Sequence, residues 1–198
     1  MPKTGMEPLR RRALVDAALR VIGDQGTLSV TMADIARDAG VSAALAHHYF
    51  GSKERLLLET VRSLLRQLRQ DAVAALRAAR SPRARVSAII AVSFQADQFD
   101  PATVAAWLAF YVDAHRSDET RRLLTLYARR LRSNLVSSLR PLSGRAEAAR
   151  IAEAAAAMID GLYIRRALNS SPLTSAEAIA LTDRSITLHL NALEGQRA

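Results

Sequence analysis

Residues 38–50 read DAGVSAALAHHYF, two helix-forming runs separated by Gly40-Val41-Ser42. Glycine accepts the left-handed backbone of a sharp turn, and the Ser42 hydroxyl can cap a new helix. Ala36, upstream of the turn, is small enough for another helix to cross closely, and Val41 can fill the angle between them. Leu45 and Tyr49, four apart, then share one face of the new helix, which leaves Ala43, Ala44, His47 and His48 on the other. This spacing predicts a helix-turn-helix whose second helix enters the major groove of DNA. A bare helical corner is the alternative that this stretch alone leaves open.

The flanks extend the helical pattern in both directions. Leu14, Ala18, Val21 and Ile22 mark the inner face of a first helix ending near Gly26, and Thr31 is placed to cap a second through Met32, Ile35, Ala36 and Ala39. Ser52 opens a long fourth helix carrying Leu56, Val61, Leu64, Leu65 and Leu68. Ser81-Pro82 and Asp100-Pro101 each set a capping side chain before a proline at the first helical position, where its missing N–H costs nothing. A seventh helix starts at Asp118 and is expected to bend or break before Pro141; an eighth covers about 144–168. Asn169-Ser170-Ser171-Pro172 then breaks the chain, and Thr174 with Glu177 forms a capping box for a ninth. The run EAARIAEAAAAM keeps its apolar positions at helical spacing, and no repeat or low-complexity linker divides the chain. The expected fold is all-α, with a helix-turn-helix DNA-binding domain over residues 1–55 and a helical ligand-binding and dimerisation domain over 56–198.

Composition narrows the partners. The chain has 198 residues, 49% of them hydrophobic, enough for one globular domain or two small ones. Its formal charge of +9 favours polyanions such as nucleic acid or an acidic membrane surface. The absence of cysteine removes disulfides, thiolate nucleophiles and Cys-ligated zinc, and fits a reducing, cytoplasmic setting. No run approaches the roughly 18 apolar residues of a membrane span, and the basic N-terminus leads into an amphipathic stretch rather than a signal-peptide core. No cofactor, metal or membrane partner is expected. His47 and His48 are adjacent, so on a helix their side chains diverge, and no acidic or cysteine cluster joins them to make a metal site.

The order of an amphipathic helix behind Arg10-Arg11-Arg12, the helical corner, and HYFGSKERLL resembles the TetR family of transcriptional regulators. That resemblance implies phosphate contacts by Tyr49 and Lys53, with Thr31 as a further candidate, and base readout from the helix carrying Ser42, Ala43, Ala44, His47 and His48. Hydroxyls, an ammonium and helix N-termini suit phosphate, whereas base edges specify sequence. Over nearly the whole chain, PKTGMEPLRRRALVDAAL, HHYF, WLAFY and MIDGLYIRRAL resemble the choline-responsive branch of the family, repressors of glycine betaine synthesis genes. Ala43-Ala44 departs from that branch, where a polar residue precedes glycine. Alanine can touch a thymine methyl but cannot hydrogen-bond a base edge.

Five of the nine aromatic residues, Phe94, Phe99, Trp107, Phe110 and Tyr111, fall between 94 and 111, and Tyr163 lies near Asp160 in sequence. Ring faces with carboxylates nearby suit a quaternary ammonium, which offers no N–H but is drawn to rings by cation–π attraction. The candidate effector residues are Phe94, Asp97, Trp107, Phe110, Tyr111, Asp160 and Tyr163, with Asp113 as a further counter-charge; the same aromatics at helical spacing also fit an ordinary core. Ile151, Ala155, Met158 and Leu162 form one seam and Ala152, Ala156 and Ile159 another. The last helix offers Ile179, Ile186, Leu190 and Leu193 on one face and Leu181 and Leu188 on a second. Two apolar faces on terminal helices point to a two-fold homodimer. The function expected is a dimeric repressor relieved by choline, the alternative being a related repressor that senses another hydrophobic or cationic molecule. No Ser/His/Asp set, phosphate loop or metal cluster suggests an enzyme.

Overall fold

Several helices start where a capping side chain meets an apolar-periodic run in the computed structural model, which describes residues 6–168 and 173–195. Nine helices lie among the described residues: α1 (Met6–Gln25), α2 (Met32–Asp38), α3 (Ala43–Phe50), α4 (Lys53–Ala78), α5 (Pro82–Ser93), α6 (Pro101–Asp113), α7 (Asp118–Ser143), α8 (Arg145–Ala167) and α9 (Ser175–Gly195). The all-α expectation is met. The expected break at Asn169-Ser170-Ser171-Pro172 lies outside the described residues.

The caps follow the sequence signals. Thr31 Oγ1 accepts from the Asp34 N–H at 3.1 Å, while Asp34 Oδ2 accepts the Thr31 N–H at 3.2 Å and its hydroxyl at 2.6 Å. Ser42 accepts from the Leu45 N–H at 3.2 Å, and Ser81 from the Ala84 N–H at 3.1 Å just before Pro82. At α9 the Thr174 N–H donates to Glu177 at 2.8 Å and the Glu177 N–H returns to Thr174 at 3.3 Å. At α7 the chain does not break. It runs through Pro141 to Ser143 instead of breaking before the proline. Pro141 falls in the last turn, where a missing donor removes a single bond at an end that is weakly held already.

The chain divides into two compact units: one is Met1–Arg66 with Pro101–Leu124, and the other Gln67–Asp100 with Thr125–Ala198. In the first, Leu14, Ala18 and Ile22 of α1 share a core with Ile35 and Ala36 of α2, Ala46 and Phe50 of α3, and Leu56 and Val61 of α4. Ala106, Ala109 and Phe110 bring α6 into that core. The approach of α6 to α1 depends on Gly23, where a Cβ would stand 2.4 Å from the Ala102 carbonyl oxygen and 2.6 Å from its Cβ.

In the second unit α5 and α8 both pack on α9. Arg83 of α5 donates to Asp183 and Thr187 of α9, the latter at 2.8 Å, and the Ser87 hydroxyl donates to Asp183 at 2.9 Å. Burial works against ionisation of Asp183, but the bonds from Arg83 and Ser87 outweigh it and hold the carboxyl below its ordinary range. On α8 the structure merges what the sequence divides: Ile151, Ala152, Ala155, Ile159 and Leu162 are all buried as one inward seam, with Met158 and Ala156 at its margin. Ile164 of α8 and Leu168 just after it, and Leu181 and Leu188 of α9, remain exposed.

Candidate functional site

The corner between α2 and α3 is made by backbone geometry. Gly40 has φ +67°, a conformation that side chains disfavour, and the Val41 N–H returns to the Ala36 carbonyl at 2.9 Å. Ala36 is buried at the crossing, as its size suggested. On α3 the inward pair is Ala46 and Phe50, 0% and 6% exposed, whereas Leu45 and Tyr49 are half-buried beside it. The buried stripe is thus displaced by one residue, about 100° around the helix, from the Leu45–Tyr49 face expected. Ala46 is the smaller side chain and allows α3 to seat closely, which turns Tyr49 toward the rim. Ser42, Ala44, His47 and His48 are exposed; Ala43 is half-buried and packs on the core.

The candidate phosphate contacts differ in how committed they are. Thr31 is exposed, but its hydroxyl proton already goes to Asp34. The Thr31 hydroxyl and N–H, with Arg37 adding its charge, hold the Asp34 carboxyl below its ordinary pKa. The Tyr49 ring lies 5.5 Å from that of His48, and His47 Nδ1 is 3.3 Å from the Gly51 carbonyl oxygen. Lys53 Nζ donates to the Leu28 carbonyl at 3.4 Å, a long bond that uses one of three ammonium protons. Among the described residues no group of three or more His, Cys, Asp or Glu side chains could hold a metal.

The candidate effector residues fall into separate groups. In the first unit Trp107 and Tyr111 are neighbours with ring centroids 6.0 Å apart, while Phe110 is turned into the core with Ala106 and Ala109. Trp107 and Phe110 are both buried, and Tyr111 is half-buried. In the second unit Phe94 and Tyr163 meet at 5.9 Å, and Phe99 joins them at 5.3 Å and 5.5 Å. The Tyr163 hydroxyl donates to the Ser93 carbonyl at 2.6 Å, and the Arg166 guanidinium sits 5.6 Å from the centre of the Phe99 ring. A cation of the chain itself thus already occupies one ring face. Asp97 is exposed in the turn between α5 and α6. Asp113 accepts from the Thr120 hydroxyl at 2.7 Å, a local role in the turn between α6 and α7. Asp160 is exposed, and burial of Tyr127 together with the Asp160 charge pushes the Tyr127 phenol above its ordinary pKa.

Tyr127 escaped the sequence reading because partners on different helices carry no fixed spacing. Arg11 escaped it too, although the Arg10-Arg11-Arg12 run that introduces α1 was visible. Thr31-Met32-Ala33-Asp34 could have been read as a capping box with aspartate in the third position.

Comparison with known proteins identifies this arrangement. Residues 14–60 match the model of bacterial regulatory proteins of the tetR family, and residues 82–191 match that of the BetI-type transcriptional repressor, C-terminal. The chain belongs to the TetR family and carries its BetI-type C-terminal domain. The HTH-type transcriptional regulator BetI of Rhizobium meliloti (strain 1021) is 68% identical over 192 residues, covering 97% of this chain and 95% of that protein. BetI of Brucella anthropi is 60% identical, with 96% and 98% covered. A transcriptional regulator from Pseudomonas aeruginosa PAO1 superposes with a TM-score of 0.79 at 26% identity, over 96% of this chain and 94% of that one. One from Saccharomonospora viridis, crystallised in complex with choline, does so with a TM-score of 0.79 at 23% identity, over 89% and 95%. This TetR-family chain is a transcriptional regulator and not an enzyme. None of its described helices is long and apolar enough to cross a membrane.

Proposed function

We propose that the chain is a homodimeric, sequence-specific repressor of glycine betaine synthesis genes, acting in the cytoplasm and released from operator DNA by choline. The observation that supports this above all is its likeness, along nearly the whole chain, to regulators named BetI. Choline in the Saccharomonospora viridis regulator, which shares the fold, favours that effector.

In this reading residues 1–55 contact DNA and residues 56–198 bind the effector and dimerise. α3 enters the major groove, presenting Ser42, Ala44, His47 and His48, with Ala43 at its inner edge. Tyr49, Lys53 and the start of α2 at Thr31 meet phosphates and set the register. α8 and α9 pair with their copies about a two-fold axis through the exposed Ile164, Leu168, Leu181 and Leu188. Choline is drawn to ring faces and carboxylates within one unit, either at Trp107 and Tyr111 beside Phe110 or at Phe94 and Tyr163 with Asp97 and Asp160 as counter-charges. It acts by population shift. Two reading helices must stand about 34–36 Å apart, or a multiple, to use successive grooves on one side of a duplex. Choline that fits a differently spaced form better lowers operator affinity by its preference for that form, and operator lowers choline affinity equally.

The test is a titration of choline into a protein–duplex complex, with glycine betaine and an uncharged choline analogue as controls. Choline is expected to weaken DNA binding, and Trp107→Ala to blunt that response while leaving DNA binding and dimerisation intact. Choline that binds without altering DNA affinity sinks the coupling. The second reading, a repressor of a different hydrophobic or cationic effector, is favoured by the enclosed ring cluster at Phe94, Phe99 and Tyr163 with its resident Arg166; a panel in which an apolar or other cationic compound releases DNA and choline does not would select it.

A further inference from the structure

Arg11 of α1 is joined to the far end of α3 by contacts of different kinds. Its Nη1 donates to the Tyr49 carbonyl at 2.7 Å, and its guanidinium carbon lies 4.8 Å from the centre of the Phe50 ring. Glu7, one turn back on α1, meets the same Nη1 at 3.5 Å and steadies the side chain. The last carbonyls of a helix lack intrahelical donors. Here Gly51 turns the chain away with φ +76°, and its N–H goes to the His47 carbonyl at 2.7 Å. The Tyr49 carbonyl is left to an outside donor, and Arg11 supplies it.

A cleft of about 470 Å³ opens beside this contact, with Arg11, Tyr49, Arg55, Glu59 and Arg62 in its walls. Glu59 takes Arg62 at 3.7 Å and Arg66 at 2.7 Å, whereas Arg11 turns onto α3. Lying over the Phe50 ring while donating to a carbonyl suits a planar guanidinium, whose donors are held in a fixed fork; a compact ammonium on a flexible stem fixes that geometry less well. Tyr49 and Phe50 are consecutive. Holding the backbone of one and the ring of the other fixes both the position and the rotation of the last turn of α3.

We infer that Arg11 is a positioning residue for operator binding: it locks the C-terminal turn of α3 to α1, so that Tyr49 is presented to phosphate at a set angle without Arg11 touching DNA. This rests on the proposed reading of α3 as the helix that enters DNA.

The probe is a duplex selected by the wild-type chain from a random-sequence pool. Binding is measured across a range of salt concentrations for wild type, Arg11→Ala, Arg11→Lys, Tyr49→Phe and Lys53→Ala, with the active fraction of each preparation counted by stoichiometric titration. Arg11→Ala is expected to weaken binding about ten- to a hundredfold per active molecule, the range of one charge-assisted hydrogen bond. Arg11→Lys is expected to recover little of that loss. Both keep the wild-type salt slope, and amide exchange quickens over residues 47–51 but not in α2. A salt slope reduced by about one would make Arg11 a phosphate contact and overturn the inference. So would full recovery by lysine, which shows that charge alone suffices, or unchanged affinity per active molecule, even with a lower thermal midpoint, which leaves only a part in folding. If wild type selects no duplex, or Tyr49→Phe and Lys53→Ala both bind as wild type does, the reading of α3 fails and this inference with it. If those two weaken binding and the Arg11 variants do not, this inference alone fails.

Discussion

At single residues the chain shows how far a motif can be trusted. Gly40, Val41 and Ser42 do what their chemistry dictates, because a positive φ, a return bond to Ala36 and a hydroxyl cap are local events. Lys53 is less simple. Its ammonium lies 3.4 Å from the Leu28 carbonyl, a bond long enough to leave the charge available. In the proposed complex it neutralises one phosphate, so Lys53→Ala should weaken binding to all duplexes alike and reduce the salt slope by about one. Affinity measured against salt concentration checks this; an unaltered slope removes Lys53 from the contact. Tyr49 could be placed on the reading helix from its spacing, but not the carbonyl bond to Arg11, since the two lie 38 residues apart.

At the level of elements, α6 divides its aromatic residues between the shared core and a ring pair. Phe110 joins the core with Ala106 and Ala109, and Trp107 pairs with Tyr111. α6 meets α1 at Gly23 and Ala102. Any side chain at position 23 meets backbone, not the end of a flexible chain, and so cannot be relieved by a rotamer change. Gly23→Ala is accordingly expected to destabilise the protein by about 1–3 kcal/mol through overpacking. Thermal or denaturant unfolding measures it, and a wild-type midpoint would mean that α6 can slide without cost. The helix starts at Thr31, Ser42, Ser81 and Thr174 were all readable because a cap acts within its own first turn. The passage of α7 through Pro141 was not, because proline is costly inside a helix and tolerable in its final turn, and the end of α7 is set by Gly144 beyond it.

For the whole molecule, dimerisation decides whether the proposed repressor can span successive grooves. Leu181 and Leu188 of α9 are 45% and 59% exposed among the described residues, a pair two turns apart. Leu188→Glu should raise the dimer dissociation constant at least about thirtyfold, the effect of losing a strong interface anchor, and weaken operator binding in parallel. Sedimentation against concentration tests it; a dimer as tight as wild type places the interface elsewhere. The sequence by itself determined the all-helical class, the helical corner, the caps and the family, since each depends on neighbours within a turn or two or on an order of motifs along the chain. Tertiary structure decided which face of α3 is buried, that Ile151, Ala152, Ala155, Ile159 and Leu162 share one seam, that Arg166 lies over Phe99, and that Arg11 reaches Tyr49. The physical reason is that helical spacing defines faces but not their partners: a face becomes core, lining or interface according to what packs across from it, and that is set by contacts between residues far apart in the chain.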